Sequence, residues 1–266
     1  MVDYAKKFGI SQKVLKKWRS EDIYLEGNRR VLVILIPGWS AVTRQVLPLA
    51  EKINNSGYPV KCLRLAGHGT KPEDLEGVKW EDWVANLIDE IKEGKRNKQF
   101  DKIIIGGVSM GGNVCLLASL QEKVDGIILI GTPVHLKGHL IFKFSSIILP
   151  LFRKYTEKAR PRNIFVNKND SYQYFPTNNV KEVLVIIEKS VKILNKVTAP
   201  VLILQAKNDF FVTKYSPWII YKNISSKIRQ MHWIHTESEN HVPQSDTEVY
   251  KVARIVKQFI EKILVD

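Results

Sequence analysis

Cysteine is scarce in this chain, with only Cys62 and Cys115 in 266 residues. Two thiols cannot build the disulfide framework on which small secreted domains rely. Both stand among Val, Leu and Ile, where a free thiol acts as a small hydrophobe, and a reducing cytoplasm is the expected compartment. Long apolar runs are missing as well. The longest, residues 140–152, carries Lys143 and falls short of the roughly twenty apolar residues a spanning helix needs. The first twenty residues are basic but lack the apolar centre of a signal peptide, so export by that route is not expected. Acidic residues are outnumbered, 27 Asp+Glu against 41 Lys+Arg, for a formal charge of +14. That excess suits an acidic partner, nucleic acid or an anionic membrane face, but it speaks to association and not to fold.

What is present excludes disorder, because 44% hydrophobic residues and six Trp supply the apolar content that disordered chains lack. The length suits one α/β core with a modest insertion. From Arg30 onward, short β-branched runs at 31–36, 60–65, 103–105, 127–130, 201–204 and 228–234 read as strands. Between them, 80–91, 110–120 and 247–264 repeat apolar residues at three and four, so each reads as an amphipathic helix. The alternation predicts a mostly parallel central sheet with helices on both faces. It is interrupted between residues 134 and 196, which read as an insertion holding an apolar run, a basic turn-rich stretch, the aromatics Tyr172, Tyr174 and Phe175, and a helix from about residue 179. Insertions over strand ends commonly form caps. The expected organisation is a basic arm (1–30), a core (31–133 and 197–266) and a cap (134–196).

Chemistry concentrates at Gly107-Val108-Ser109-Met110-Gly111, with Gly106 and Gly112 on either side. Gly-x-Ser-x-Gly between a strand and a helix is a nucleophile elbow, in which the serine occupies a strained turn and small neighbours let backbone pass close. A serine hydroxyl needs a histidine base and a carboxylate that orients the imidazole. In this setting the acid and then the histidine follow the serine in sequence. Asp209, just past the 201–204 strand, is the candidate acid, and His241, after the final strand, the candidate base. Asp246 reads better as part of a helix N-cap, Asp170 lies in the insertion, and His232 and His235 fall within or beside the last strand. His68 precedes the serine and reads as a structural loop histidine, while His135 and His139 open the insertion. The developing oxyanion calls for backbone N–H donors, here Met110 after the serine and Trp39 in the loop after the first buried strand.

These residues resemble the α/β-hydrolase superfamily, and within it the bacterial monoacylglycerol lipase and small carboxylesterase group. The marks are Ile36-Pro37-Gly38-Trp39, Leu65-Ala66-Gly67-His68-Gly69, Pro72-Glu73-Asp74-Leu75, Trp80-Glu81-Asp82-Trp83, the Ser109 elbow, the 205–209 loop and His241 before the last helix. Pro37 stands where the group usually has histidine, and Asn240 where it usually has glycine before the catalytic histidine. The resemblance implies an α/β-hydrolase fold with a small inserted cap, Ser109 as nucleophile, Asp209 as acid, His241 as base, and Trp39 and Met110 amides at the oxyanion. It implies a serine carboxylic-ester hydrolase, a carboxylesterase or monoacylglycerol lipase, working through an acyl-enzyme. The substrate would be a small ester or acylglycerol, with no metal or organic cofactor required. The same residues admit thioesterase, acyltransferase, C–C hydrolase or haloperoxidase chemistry, since a triad fixes the nucleophile and not the leaving group. From a different class, a non-enzymatic protein could use the basic arm and cap to hold nucleic acid or anionic lipid.

The first thirty residues lie outside that resemblance, and residues 1–20 hold six Lys/Arg against one Asp. Their spacing fits a helix-turn-helix, but too few residues precede the core to supply a third packing helix. A basic amphipathic helix on the domain or on an anionic lipid surface is the expectation, with nucleic acid disfavoured. Residues 134–163 add seven Lys/Arg against one Glu, so most of the excess charge falls on the arm and the insertion.

Overall fold

The apolar hexapeptide Val31–Ile36 faces two ways, and the layers of the molecule follow from that alternation. In the computed structural model, which describes residues 3–136, 138–158, 170–236, 243 and 245–265 with the side chains of 139–145 excepted, every residue of this strand is buried. Leu32, Ile34 and Ile36 enter one hydrophobic cluster, whereas Val31, Val33 and Leu35 enter another on the opposite face. A period of two with both sets apolar is what a strand covered on both sides requires.

The main sheet contains β1 (Ile23–Leu25), β2 (Val31–Ile36), β3 (Val60–Cys62), β4 (Lys102–Val108), β5 (Gly126–Ile130), β8 (Val201–Ala206) and β9 (Arg229–Ile234). Its order is β1-β3-β2-β4-β5-β8-β9, with β1 antiparallel at one edge and all other pairs parallel. The sheet therefore begins at Ile23, ahead of the core start at residue 31 expected from the sequence. Helices α3 (Leu47–Asn54) and α9 (Asp246–Val265) cover one face, and α4 (Trp80–Arg96), α5 (Met110–Ala118), α7 (Val180–Lys192) and α8 (Tyr215–Asn223) the other. Cys62 and Cys115 are buried and free, and burial pushes the Cys62 thiol up to about 12. At the start of α9, Ser245 and Glu248 bond each other's backbone N–H at 3.3 and 3.2 Å, so Ser245 caps the helix that Asp246 begins.

The inserted stretch contains α6 (His139–Phe152) and a two-stranded antiparallel ladder of β6 (Tyr155–Glu157) with β7 (Tyr174–Pro176). A 3-10 turn, Thr177–Asn179, leads into α7, whose Ile186 already belongs to the core beneath the sheet. Two short N-terminal helices, α1 (Tyr4–Lys7) and α2 (Gln12–Trp18), lie against that ladder. Trp18 is fully buried, with ring centres 5.4 Å from Tyr172 and 6.2 Å from Tyr174, and Tyr4 meets Tyr155 at 4.1 Å. The apolar side of the arm is thus spent on the inserted ladder. Lys6, Lys7, Lys13, Lys16, Lys17 and Arg19 remain exposed on its outer side. Among the described residues no helix is long and apolar enough to cross a membrane.

Candidate active site

β4 ends at Val108 and α5 starts at Met110, so a single residue, Ser109, makes the turn between them. It does so at φ 53°, ψ −122°, outside the regions open to ordinary L-residues. Among the described residues only Ser109 and Ser40 are non-glycine residues at positive φ. Backbone strain of that kind costs about 1–3 kcal/mol per residue and persists only where the surroundings enforce it. Here the Ser109 N–H donates to Ile130 O at 2.8 Å and the Ser109 carbonyl accepts from Gly112 N at 2.9 Å, which pins both sides of the turn. A side chain at Gly111 would place its Cβ 2.6 Å from Pro37 O, so the helix meets the preceding loop backbone to backbone. Ser109 is left partly exposed above a buried framework.

The loop after β2 runs beside the elbow, close enough that a Cβ on Gly38 would sit 3.3 Å from Ser109 Cβ. Gly38 N–H donates to Gln45 Oε1 at 2.8 Å, Ala41 N–H to Gly38 O at 3.1 Å, and Val42 N–H to Asp170 O at 2.9 Å. Ser40, at φ 60°, donates its N–H to His68 Nε2 at 2.9 Å and accepts from Tyr172 N–H at 2.8 Å. The exceptions are informative: among the described residues the backbone N–H groups of Trp39 and Met110 have no acceptor. The Met110 amide is one of the first-turn helix donors that no helical carbonyl can satisfy.

His68 is fully buried and keeps both ring nitrogens occupied. Nε2 accepts from Ser40, so Nδ1 carries the proton and donates to Ala66 O at 2.9 Å. Burial drives its pKa down to about 4, with the nearby Lys158 and Arg64 charges adding in the same direction against the Ala66 bond. It is a neutral structural ring, as the loop reading anticipates.

Asp209 follows β8 and is 4% exposed. Its Oδ1 accepts from Phe211 N–H at 2.8 Å and Val212 N–H at 2.9 Å, and its Oδ2 accepts from Gln205 Nε2 at 2.6 Å. Those donors hold the carboxylate at the carboxyl end of the strand, where open α/β sheets collect their functional groups. The segment after β5 joins the same end, since Leu136 bridges Val212 and Thr213 N–H donates to His135 O. His241 and Asn240 lie outside the described residues, as does the side chain of His139. Of the rivals, His232 sits in β9 within 3.4 Å of Gln230 Oε1, His235 and His135 are exposed, and Asp170 pairs with Arg44 at 3.6 Å. No group of three His, Cys, Asp or Glu that could hold a metal occurs among the described residues.

Two polar anchors of the loop were not anticipated from sequence. Asn179 accepts from Trp39 Nε1 at 2.7 Å, and Gln45 carries Gly38. Asn179 lies 140 residues from Trp39 in sequence and has no local signature.

A parallel sheet with a strained serine between strand and helix and a buried carboxylate after a later strand defines the α/β-hydrolase class. Within it, the chain belongs to the family described as serine aminopeptidase, S33, which matches residues 27–237. It is similar to a carboxylesterase of Bacillus subtilis (strain 168), 26% identical over 231 residues, covering 87% of this chain and 92% of the relative. It is also similar to a thermostable monoacylglycerol lipase of Bacillus sp. (strain H-257), 28% identical over 245 residues and covering 91% and 93% of the two chains. A solved metagenome-derived lipolytic enzyme superposes with a TM-score of 0.79 at 25% identity over 91% of this chain and 97% of that one.

Proposed function

We propose that this chain is a serine carboxylic-ester hydrolase acting on small esters or monoacylglycerols. The observation that carries the reading is Ser109 at φ 53°, followed by the Met110 amide and approached by the Gly38–Trp39 loop, with neither the Met110 nor the Trp39 amide paired among the described residues. The kinship to a carboxylesterase and a monoacylglycerol lipase supports the substrate class. Ser109 Oγ attacks the ester carbonyl while His241 takes its proton, and the Trp39 and Met110 N–H groups receive the oxyanion. Asp209 holds the imidazole and stabilises its cation. His241 then returns the proton to the leaving alcohol, and water, activated by the same base, releases the acyl group from Ser109. The chemistry closes with these groups and water alone.

The trial is hydrolysis of p-nitrophenyl esters and of a monoacylglycerol by wild type and Ser109→Ala, beside an aminoacyl p-nitroanilide as the amide counterpart. Ester turnover that Ser109→Ala abolishes is the expected result. Faster turnover of the anilide than of any ester, or equal rates in the two proteins, overturns it.

The partner surface in this reading is an anionic bilayer. Ile147, Leu151 and Phe152 of α6 are 61%, 74% and 80% exposed, and Arg153 and Lys154 follow them. Lys154 and Lys7 each stand over one ring of the Tyr155–Tyr4 pair, so cations of the insertion and the arm border the same apolar edge. Apolar insertion rimmed by Lys and Arg favours anionic lipid and weakens with salt. Binding to vesicles containing phosphatidylglycerol at low salt but not to phosphatidylcholine vesicles is expected, and equal binding to both removes the electrostatic part of the reading.

A further inference from the structure

The loop that carries Trp39 is tied down at several of its residues, Gly38 by Gln45, Ser40 by His68 and Val42 by Asp170, and at Trp39 the tie is the indole. Its Nε1–H donates to Asn179 Oδ1 at 2.7 Å, and its ring lies against Phe175 with centres 4.5 Å apart. Asn179 is 3% exposed. Its Nδ2 donates to Leu75 O at 3.1 Å and to Val78 O at 3.2 Å. An indole N–H can only donate and a carbonyl can only accept, so these three partners leave a single orientation for the amide. Asn179 itself is set by the 3-10 turn Thr177–Asn179 at the end of the inserted ladder. The Trp39 indole joins its backbone through only two torsions, each confined to a few staggered wells, so an indole anchored at a buried amide and packed on Phe175 restricts where the Trp39 Cα and its free N–H can lie.

We infer that Asn179 is a positioning residue for the oxyanion donor: through the Trp39 indole, the inserted segment aims the Trp39 N–H at the substrate oxygen. The inference rests on the esterase reading above. The inserted segment then serves the chemical step and does more than roof the acyl group. A donor misaimed by a fraction of an ångström loses much of its value to the transition state while ground-state binding is barely touched.

The test uses two variants that break the same link from opposite ends. Trp39→Phe keeps an aromatic ring toward Phe175 but removes the pyrrole half of the indole with its Nε1–H, leaving Asn179 and its two carbonyl bonds in place, whereas Asn179→Ala deletes the acceptor. For each, and for the double variant, kcat and KM on a p-nitrophenyl ester are measured, together with inhibition by a trifluoromethyl ketone, which forms a tetrahedral oxyanion adduct with the serine. Each single variant is expected to lose about 10- to 100-fold in kcat and in ketone affinity, with KM within about threefold. The double variant should be no slower than the slower single. Unchanged kcat in Trp39→Phe, a loss confined to KM, or effects that multiply in the double variant would overturn the inference. Should Asn179→Ala fail to fold, Trp39→Phe alone decides by the same kcat and ketone criteria. Failure of the underlying reading looks different, since wild type would then lack Ser109-dependent ester hydrolysis altogether.

Discussion

Protonating His68 should destabilise this protein, and His68→Gln should remove the effect. In the native state the ring is buried and neutral, its Nε2 accepting from Ser40 N–H, and its pKa lies near 4 against an ordinary 6.5. The depressed value means that the unfolded chain binds a proton that the native chain refuses. The stability contribution is therefore complete above pH 6.5 and lost as the pH falls toward 4, at up to about 1.4 kcal/mol per pH unit. Across that window the loss is about 3 kcal/mol, a large share of a typical total. Glutamine can accept from Ser40 and donate to Ala66 without titrating. At pH 7 the variant should be about 1–2 kcal/mol less stable, since its geometry is imperfect. Near pH 4.5 the two proteins should converge or cross. Urea unfolding at half-unit steps from pH 7.5 to 4.5 measures this, and the difference between the proteins cancels the carboxylates they share. Parallel stability curves for wild type and His68→Gln would refute the assignment of a neutral, hydrogen-accepting ring.

Gly111→Ala should impair both folding and turnover, because its Cβ would stand 2.6 Å from Pro37 O and 2.9 Å from Ile36 O, backbone atoms that cannot yield as a flexible side chain would. A fall of about 2–3 kcal/mol in unfolding free energy is expected, and a wild-type urea midpoint would contradict it. Trp18→Ala empties the space between the arm and the inserted ladder, where the indole is fully buried against Tyr172 and Tyr174. The cost should be about 3–5 kcal/mol, with amide exchange rising in residues 4–18 and 172–176; an arm that remained protected would show that other contacts hold it.

Strands β2, β5 and β8 were legible because each is a compact apolar run rich in Val, Ile and Leu with Gly or Pro at one end, and they fall within two residues of the runs that predict them. β1 was not, since three residues with Tyr24 nearly half exposed carry no pattern that distinguishes an edge strand from a loop. The elbow could be read because its requirements are local: one serine, small neighbours, a strand before it and a helix after it. The supports of the loop after β2 could not. Ser40 to His68 spans 28 residues and Trp39 to Asn179 spans 140, and neither pair has a spacing rule. The arm's apolar stripe was visible in its Val14, Leu15 and Trp18 spacing, but its partners, Tyr155, Tyr172 and Tyr174, become neighbours only through the fold. The basic excess now has a physical location, because the arm spends its apolar side on the insertion and turns its lysines outward.

The central claim is that Ser109 is an activated nucleophile. Fluorophosphonate labelling of the wild-type protein, followed by peptide mapping, tests it most directly. A single stoichiometric adduct on Ser109 is expected, absent from Ser109→Ala and strongly slowed in His241→Ala. An adduct elsewhere, or no adduct on a folded protein, would contradict it.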